Sequence, residues 1–130
     1  MRLRLASILA VVLALTACFP VHYLVRPGIS GSVVDDSTSA PVADATVILS
    51  RNGGADRPLI ATVTDANGRF NLAARRAWGM YIVPEDVFDF RGTVDIYASG
   101  YLKVSRDVRS KIVGENAPVI LGEIRVKRPP

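Results

Sequence analysis

The sequence predicts an all-β protein, a β-sandwich of about seven short strands, and three observations carry that expectation. From Cys18 onward the chain holds 15 valines and 8 isoleucines against 6 leucines. Branched side chains in that ratio favour strands over helices. Side chains alternate with period two, as in Ile29, Gly31 and Val33 against Ser30 and Ser32, or Ala45, Val47 and Leu49 against Thr46, Ile48 and Ser50. Turn-forming stretches at 35–41, 51–58, 65–68 and 114–118 separate the runs, which is the punctuation of a sandwich. No long helical period and no internal repeat is visible.

The elements follow in chain order. Arg2 and Arg4 precede thirteen uncharged residues, Leu5 through Ala17. A permanent transmembrane helix needs about 20 apolar residues, so this run predicts a secretory signal-peptide helix over 1–17. It ends in Leu15-Thr16-Ala17-Cys18, which resembles the bacterial lipobox. That resemblance implies diacylglycerol on the Cys18 sulfur, cleavage before Cys18 and acylation of the new amine. Several acyl chains at about 0.8 kcal/mol per buried methylene anchor a protein durably. Phe19 stands where enteric-type sorting would read aspartate as an inner-membrane signal, so the expected address is the outer membrane, facing the periplasm. Residues 18–28 form the lipidated cysteine and its tether, whose alternating Val21, Tyr23 and Val25 predict an edge strand added to the domain. Strands are expected at 29–33, 45–50, 59–64, 69–73, 93–98, 102–108 and 119–126. The body runs over 29–127, and 128–130 is a tail.

Composition excludes several functions. The chain carries 16 basic and 12 acidic residues, net +4, but without Arg2 and Arg4 the balance is 14 to 12. That is no footprint for phosphate backbones, so no nucleic-acid partner is expected. A single cysteine allows no internal disulfide and no thiolate zinc site. His22, the single histidine, lies in the tether and reads as solvated rather than as a metal ligand. No G-x-S-x-G elbow and no P-loop is present. Neither a catalytic residue nor a metal or other cofactor is expected beyond the covalent lipid on Cys18.

The motifs Ile29-Ser30-Gly31-Ser32-Val33-Val34-Asp35, Ala40-Pro41-Val42-Ala43-Asp44-Ala45-Thr46-Val47 and Thr64-Asp65-Ala66-Asn67-Gly68-Arg69-Phe70 resemble the carboxypeptidase regulatory-like domain. Ala98-Ser99-Gly100-Tyr101 and residues 121–126 are similar to its later strands. The resemblance spans roughly 29–126 and implies a transthyretin-like (prealbumin-like) Greek-key sandwich acting as an accessory module. Within it, Gly31 is expected to admit a bulky neighbour, and Phe70 and Leu72 to point into the core. Hydroxyisourate hydrolase, an enzyme of related fold, uses histidines and a C-terminal Tyr-Arg-Gly-Ser. Here the tether holds the only histidine and the sequence closes on Lys127-Arg128-Pro129-Pro130, so that activity is not expected.

Residues 75–92 break the strand rhythm and hold Trp78, Tyr81, Phe88 and Phe90, four of nine aromatics in the chain. Aromatics beside Arg75, Arg76 and Arg91 suit a partner-binding surface, and the same rings suit a sandwich core. Exposed Trp78 and Tyr81 would favour interaction; their burial would leave anchor and scaffold. Glu85, Asp86 and Asp89 invite a metal or acid/base reading, but Pro84 followed by two acids reads as a helix start. Asp35 and Asp36 read as turn residues rather than a catalytic pair, and Asp65-x-Asn67-Gly68 as a hairpin turn rather than a calcium loop. Arg106, Arg109, Lys111, Lys127 and Arg128 could meet anionic headgroups but read mainly as solvated surface. The expected function is a non-enzymatic, membrane-anchored envelope lipoprotein with a structural or protein-interaction role. The alternatives are a component of a type VI-like secretion system and a carbohydrate-binding module.

Overall fold

The computed structural model of the chain describes residues 7–8, 10–12, 20–51, 58–80, 89–111 and 118–130. Residues 7–8 and 10–12 are helical, and the remainder is built from strands and turns. The strands are β1 (Pro20–Arg26), β2 (Ile29–Asp35), β3 (Thr46–Arg51), β4 (Pro58–Val63), β5 (Arg69–Leu72), β6 (Arg75–Met80), β7 (Asp89–Tyr97), β8 (Val104–Lys111) and β9 (Val119–Val126). Seven of them form a sandwich, with order β5-β2-β9 in one sheet and β4-β3-β7-β8 in the other. β2 pairs antiparallel with β5 and parallel with β9; every pair in the second sheet is antiparallel. The fold is an all-β sandwich.

The period-two pattern decides which faces meet. Along β7, Phe90, Gly92, Val94 and Ile96 are buried and the intervening residues are more open. Val47 and Leu49 of β3 join them from the same sheet, and Ile29, Val33, Phe70, Leu72, Ile124 and Val126 close the core from the other. Gly31 lies opposite Phe70 in the β2–β5 register. A Cβ on Gly31 would sit 2.8 Å from the Phe70 ring and 3.1 Å from the carbonyl oxygen of Gly122, so the ring occupies the space that glycine vacates. Gly31→Ala is therefore expected to overpack this layer and lower stability by about 1–3 kcal/mol in a urea titration.

The turn at 64–70, expected as a hairpin, instead carries the chain from β4 in one sheet to β5 in the other, and its marked residues hold that crossover. Thr64 is buried; its hydroxyl donates to the Val42 carbonyl at 2.7 Å and accepts from the Ala45 amide at 2.9 Å. Asp65 Oδ1 accepts from the Asn67 and Arg69 amides at 2.8 and 2.9 Å, which shapes the turn. Gly68 has φ +71, and its carbonyl accepts from the Val33 amide at 2.7 Å, so the turn is locked onto β2. Phe70 then enters the core.

Two expectations change. The tether does form a strand, but β1 pairs with β6 and with neither sheet of the sandwich. Residues 75–80, read as a break in the rhythm, supply that partner strand. The expected helix start at Pro84, Glu85 and Asp86 lies outside the described residues, as does Cys18.

Candidate interaction site

The β1–β6 ribbon stands apart from both sheets, and a cross-strand register from Pro20↔Met80 to Arg26↔Arg75 holds it together. Its inner end is pinned: Leu24 is buried and belongs to the core, and Arg26 Nε donates to the Ala73 carbonyl at 3.1 Å. Toward the outer end, His22 pairs with Trp78, and their rings stack with centroids 4.6 Å apart and planes inclined by 24°. Such pairs are the unit of ribbon stability. Trp78 nevertheless stays 68% exposed, the largest ring the described surface offers. Arg75 and Arg76, nearer the inner end of the same strand, are exposed and make no ion pair among the described residues.

Of the four rings singled out in the sequence, the structure separates two. Trp78 faces solvent on the ribbon, whereas Phe90 is fully buried between the sheets and serves as core. Phe90 is thereby removed from any contact surface, because its ring is in phase with Val94 and Ile96 on the inner face of β7. Tyr81 and Phe88 lie outside the described residues. His22 is the residue that the sequence reading passed over. Its signal was its place opposite an aromatic in a second strand, which a reading of the tether alone does not reveal.

A second polar centre sits at the end of β2. Asp35 is 3% exposed. One carboxylate oxygen accepts from the Ser37 amide at 2.8 Å, the Ser37 hydroxyl and the Thr38 amide at 3.2 Å. The other oxygen accepts from the Tyr101 hydroxyl at 2.7 Å and faces Arg128 at 3.2 Å. Hydrogen bonds from Ser37 and Tyr101 hold the Asp35 carboxyl far below the ordinary carboxylate range. The Arg128 guanidinium also lies 5.4 Å from the centre of the Tyr101 ring. This network consumes every group it contains in tying the 36–38 turn and the 127–130 segment to the sandwich. Its neighbour Asp36 pairs with Arg125 at 3.7 Å, on the surface.

Elsewhere the charges are interleaved. Arg109 of β8 meets Asp89 of β7 at 3.6 Å, and Lys103, just before β8, meets Asp95 of β7 at 3.3 Å. A shallow open groove on the outer face of the three-stranded sheet is lined by Ser30, Ser32, Arg69, Asn71 and Glu123. Among the described residues, no three His, Cys, Asp or Glu side chains gather to hold a metal ion, and no helix is long and apolar enough to cross a membrane.

No family model matches the chain, and no curated protein matches it. Solved structures similar to it include 3-chlorocatechol 1,2-dioxygenase from Rhodococcus opacus 1CP, at 15% identity and TM-score 0.47, covering 78% of this chain and 59% of that one. The chain thus spans less than two thirds of the dioxygenase. Another is 5-hydroxyisourate hydrolase from Klebsiella pneumoniae, at 20% identity and TM-score 0.46, covering 79% of this chain and 92% of that one. Likeness at this level carries nothing about this chain's chemistry.

Proposed function

We propose that this chain is a lipid-anchored protein of the bacterial envelope, without enzymatic activity of its own. Its sandwich serves as a structural module held at a membrane, of the carboxypeptidase regulatory-like, transthyretin-like kind. The β1–β6 ribbon is its contact element. The observation that carries this reading is the position of β1. The first strand begins at Pro20, two residues beyond the lipobox-like Leu15-Thr16-Ala17-Cys18, so a lipid on Cys18 would deliver the ribbon directly to the membrane surface. Exposed Trp78 supports a contact role for the ribbon, since an indole open to solvent offers a large apolar body and a polar N–H to a partner. Phe19 favours the outer membrane over the inner one.

Metabolic labelling with a clickable palmitate analogue tests this reading. Wild type should incorporate the label and sediment with outer membranes. Cys18→Ala should lose the label completely and remain with the unprocessed precursor. An unlabelled wild-type protein recovered in the soluble fraction would refute the proposal.

A further inference from the structure

We infer that the β1–β6 ribbon is a second membrane contact, which docks the domain on anionic phospholipid with Trp78 at headgroup depth. This rests on the lipid-anchor reading and names the partner of the same site.

Three features of the ribbon fit a lipid surface. The first is reach. Cys18 to His22 is four residues, at most about 14 Å of extended chain. The headgroup layer on each side of a bilayer is about 5–8 Å thick. Trp78, in register with His22, is therefore confined near that layer whenever Cys18 is acylated. The second is side-chain type. An indole with an apolar body and a polar N–H settles at the membrane interface, and Trp78 is exposed and close to the anchored end of the chain. The third is charge. The ribbon segments PVHYLVR and RRAWGM contain three arginines and no acid. The first acids after β6 are Glu85 and Asp86, outside the described residues.

Several cations elsewhere are matched by acids. On β8, Arg109 is matched by Asp89, and Asp107 lies two residues away. Near the C-terminal end, Arg125 faces Asp36 and Glu123, and Arg128 faces Asp35. Those cations are spent on neighbouring carboxylates. On the ribbon, Arg75 and Arg76 make no ion pair among the described residues and precede the exposed indole on the same strand, with Arg76 on its face two residues toward the inner end, positive charge of the sign that lipid phosphates attract.

The test uses the full acylated protein, purified from membranes and reconstituted into vesicles. Trp78 is the only tryptophan in the chain, so its emission reports this site alone. In phosphatidylcholine vesicles containing phosphatidylglycerol, emission should shift to the blue, resist acrylamide and be quenched by lipids brominated near the headgroup. Docking should reverse in 1 M salt, where the Debye length is about 3 Å. Arg75→Gln with Arg76→Gln should lower the docked-to-undocked ratio about thirtyfold, since each arginine near an anionic surface contributes about fivefold. Water-like emission in anionic vesicles overturns the inference even if the variant cannot be made. So does a photo-crosslinker at position 78 that joins a protein and never lipid. Flotation separates the two readings. Protein that floats while Trp78 stays open to water refutes docking alone, whereas protein that carries no acyl mass and does not float refutes the anchor as well.

Discussion

Phe90→Ala should be the most damaging single truncation in the domain, lowering stability by about 3–5 kcal/mol. Phe90 is wholly buried, and its ring lies directly against Gly92 on the same strand. Removing it leaves a cavity that the flanking sheets cannot fill without abandoning the register between β3 and β7. Each kcal/mol lost lowers the melting temperature of a domain this size by about 4–8 °C. Trp78→Ala gives the contrast. It forfeits only a ring stack at an exposed site, worth about 0.5–1.5 kcal/mol. Thermal melts of the two variants check the division between core ring and surface ring. A Phe90→Ala protein that melts with wild type, or a Trp78→Ala protein that melts far below it, would reverse the assignment.

The second large effect is acid lability centred on Asp35. An ordinary aspartate titrates near pH 3.9, and in the folded protein Ser37, Thr38 and Tyr101 hold this one far lower. The folded state therefore favours the charged form. Its stabilising contribution is present in full above the unfolded pKa and drains away as the pH falls below it toward the folded value. Denaturation midpoints should decline steeply as the pH drops from about 5 to 2. Asp35→Asn should be less stable than wild type at neutral pH and should show a flatter decline. Tyr101→Phe should fall between the two, because it removes one donor and leaves the amides in place. Equal slopes in wild type and Asp35→Asn would show that the network does not govern acid behaviour.

The sandwich strands were legible because each buries one face. Val47 and Leu49, or Phe70 and Leu72, announce an inward side two residues apart, and turns with Asn67-Gly68 chemistry mark where the chain reverses. β6 was not legible. Arg75, Arg76, Ala77 and Gly79 carry no apolar alternation, and the partner strand that stabilises them, Pro20–Arg26, lies far earlier in the chain. The same distance hid the site. His22 is solvated and Asp35 caps a turn, as expected, but the stack on Trp78 and the Tyr101 hydroxyl, 66 positions on, are visible only once distant strands meet. Phe90 could have been placed from sequence. Counting back in twos from Ile96 and Val94 puts it on the inner face, but the expected strand starts at Thr93 and places the ring in the preceding connection. Local pattern encodes faces and turns; which strands meet across the chain is a property of the packed whole.

Everything proposed for this protein depends on a lipid fixing its first strand to a membrane. Intact mass spectrometry of the mature protein extracted from envelopes tests that most directly. The account predicts a chain that begins at Cys18 and carries the mass of a diacylglyceryl group and an amide-linked acyl chain. A mature chain beginning at any other residue, or an unmodified Cys18, would contradict it.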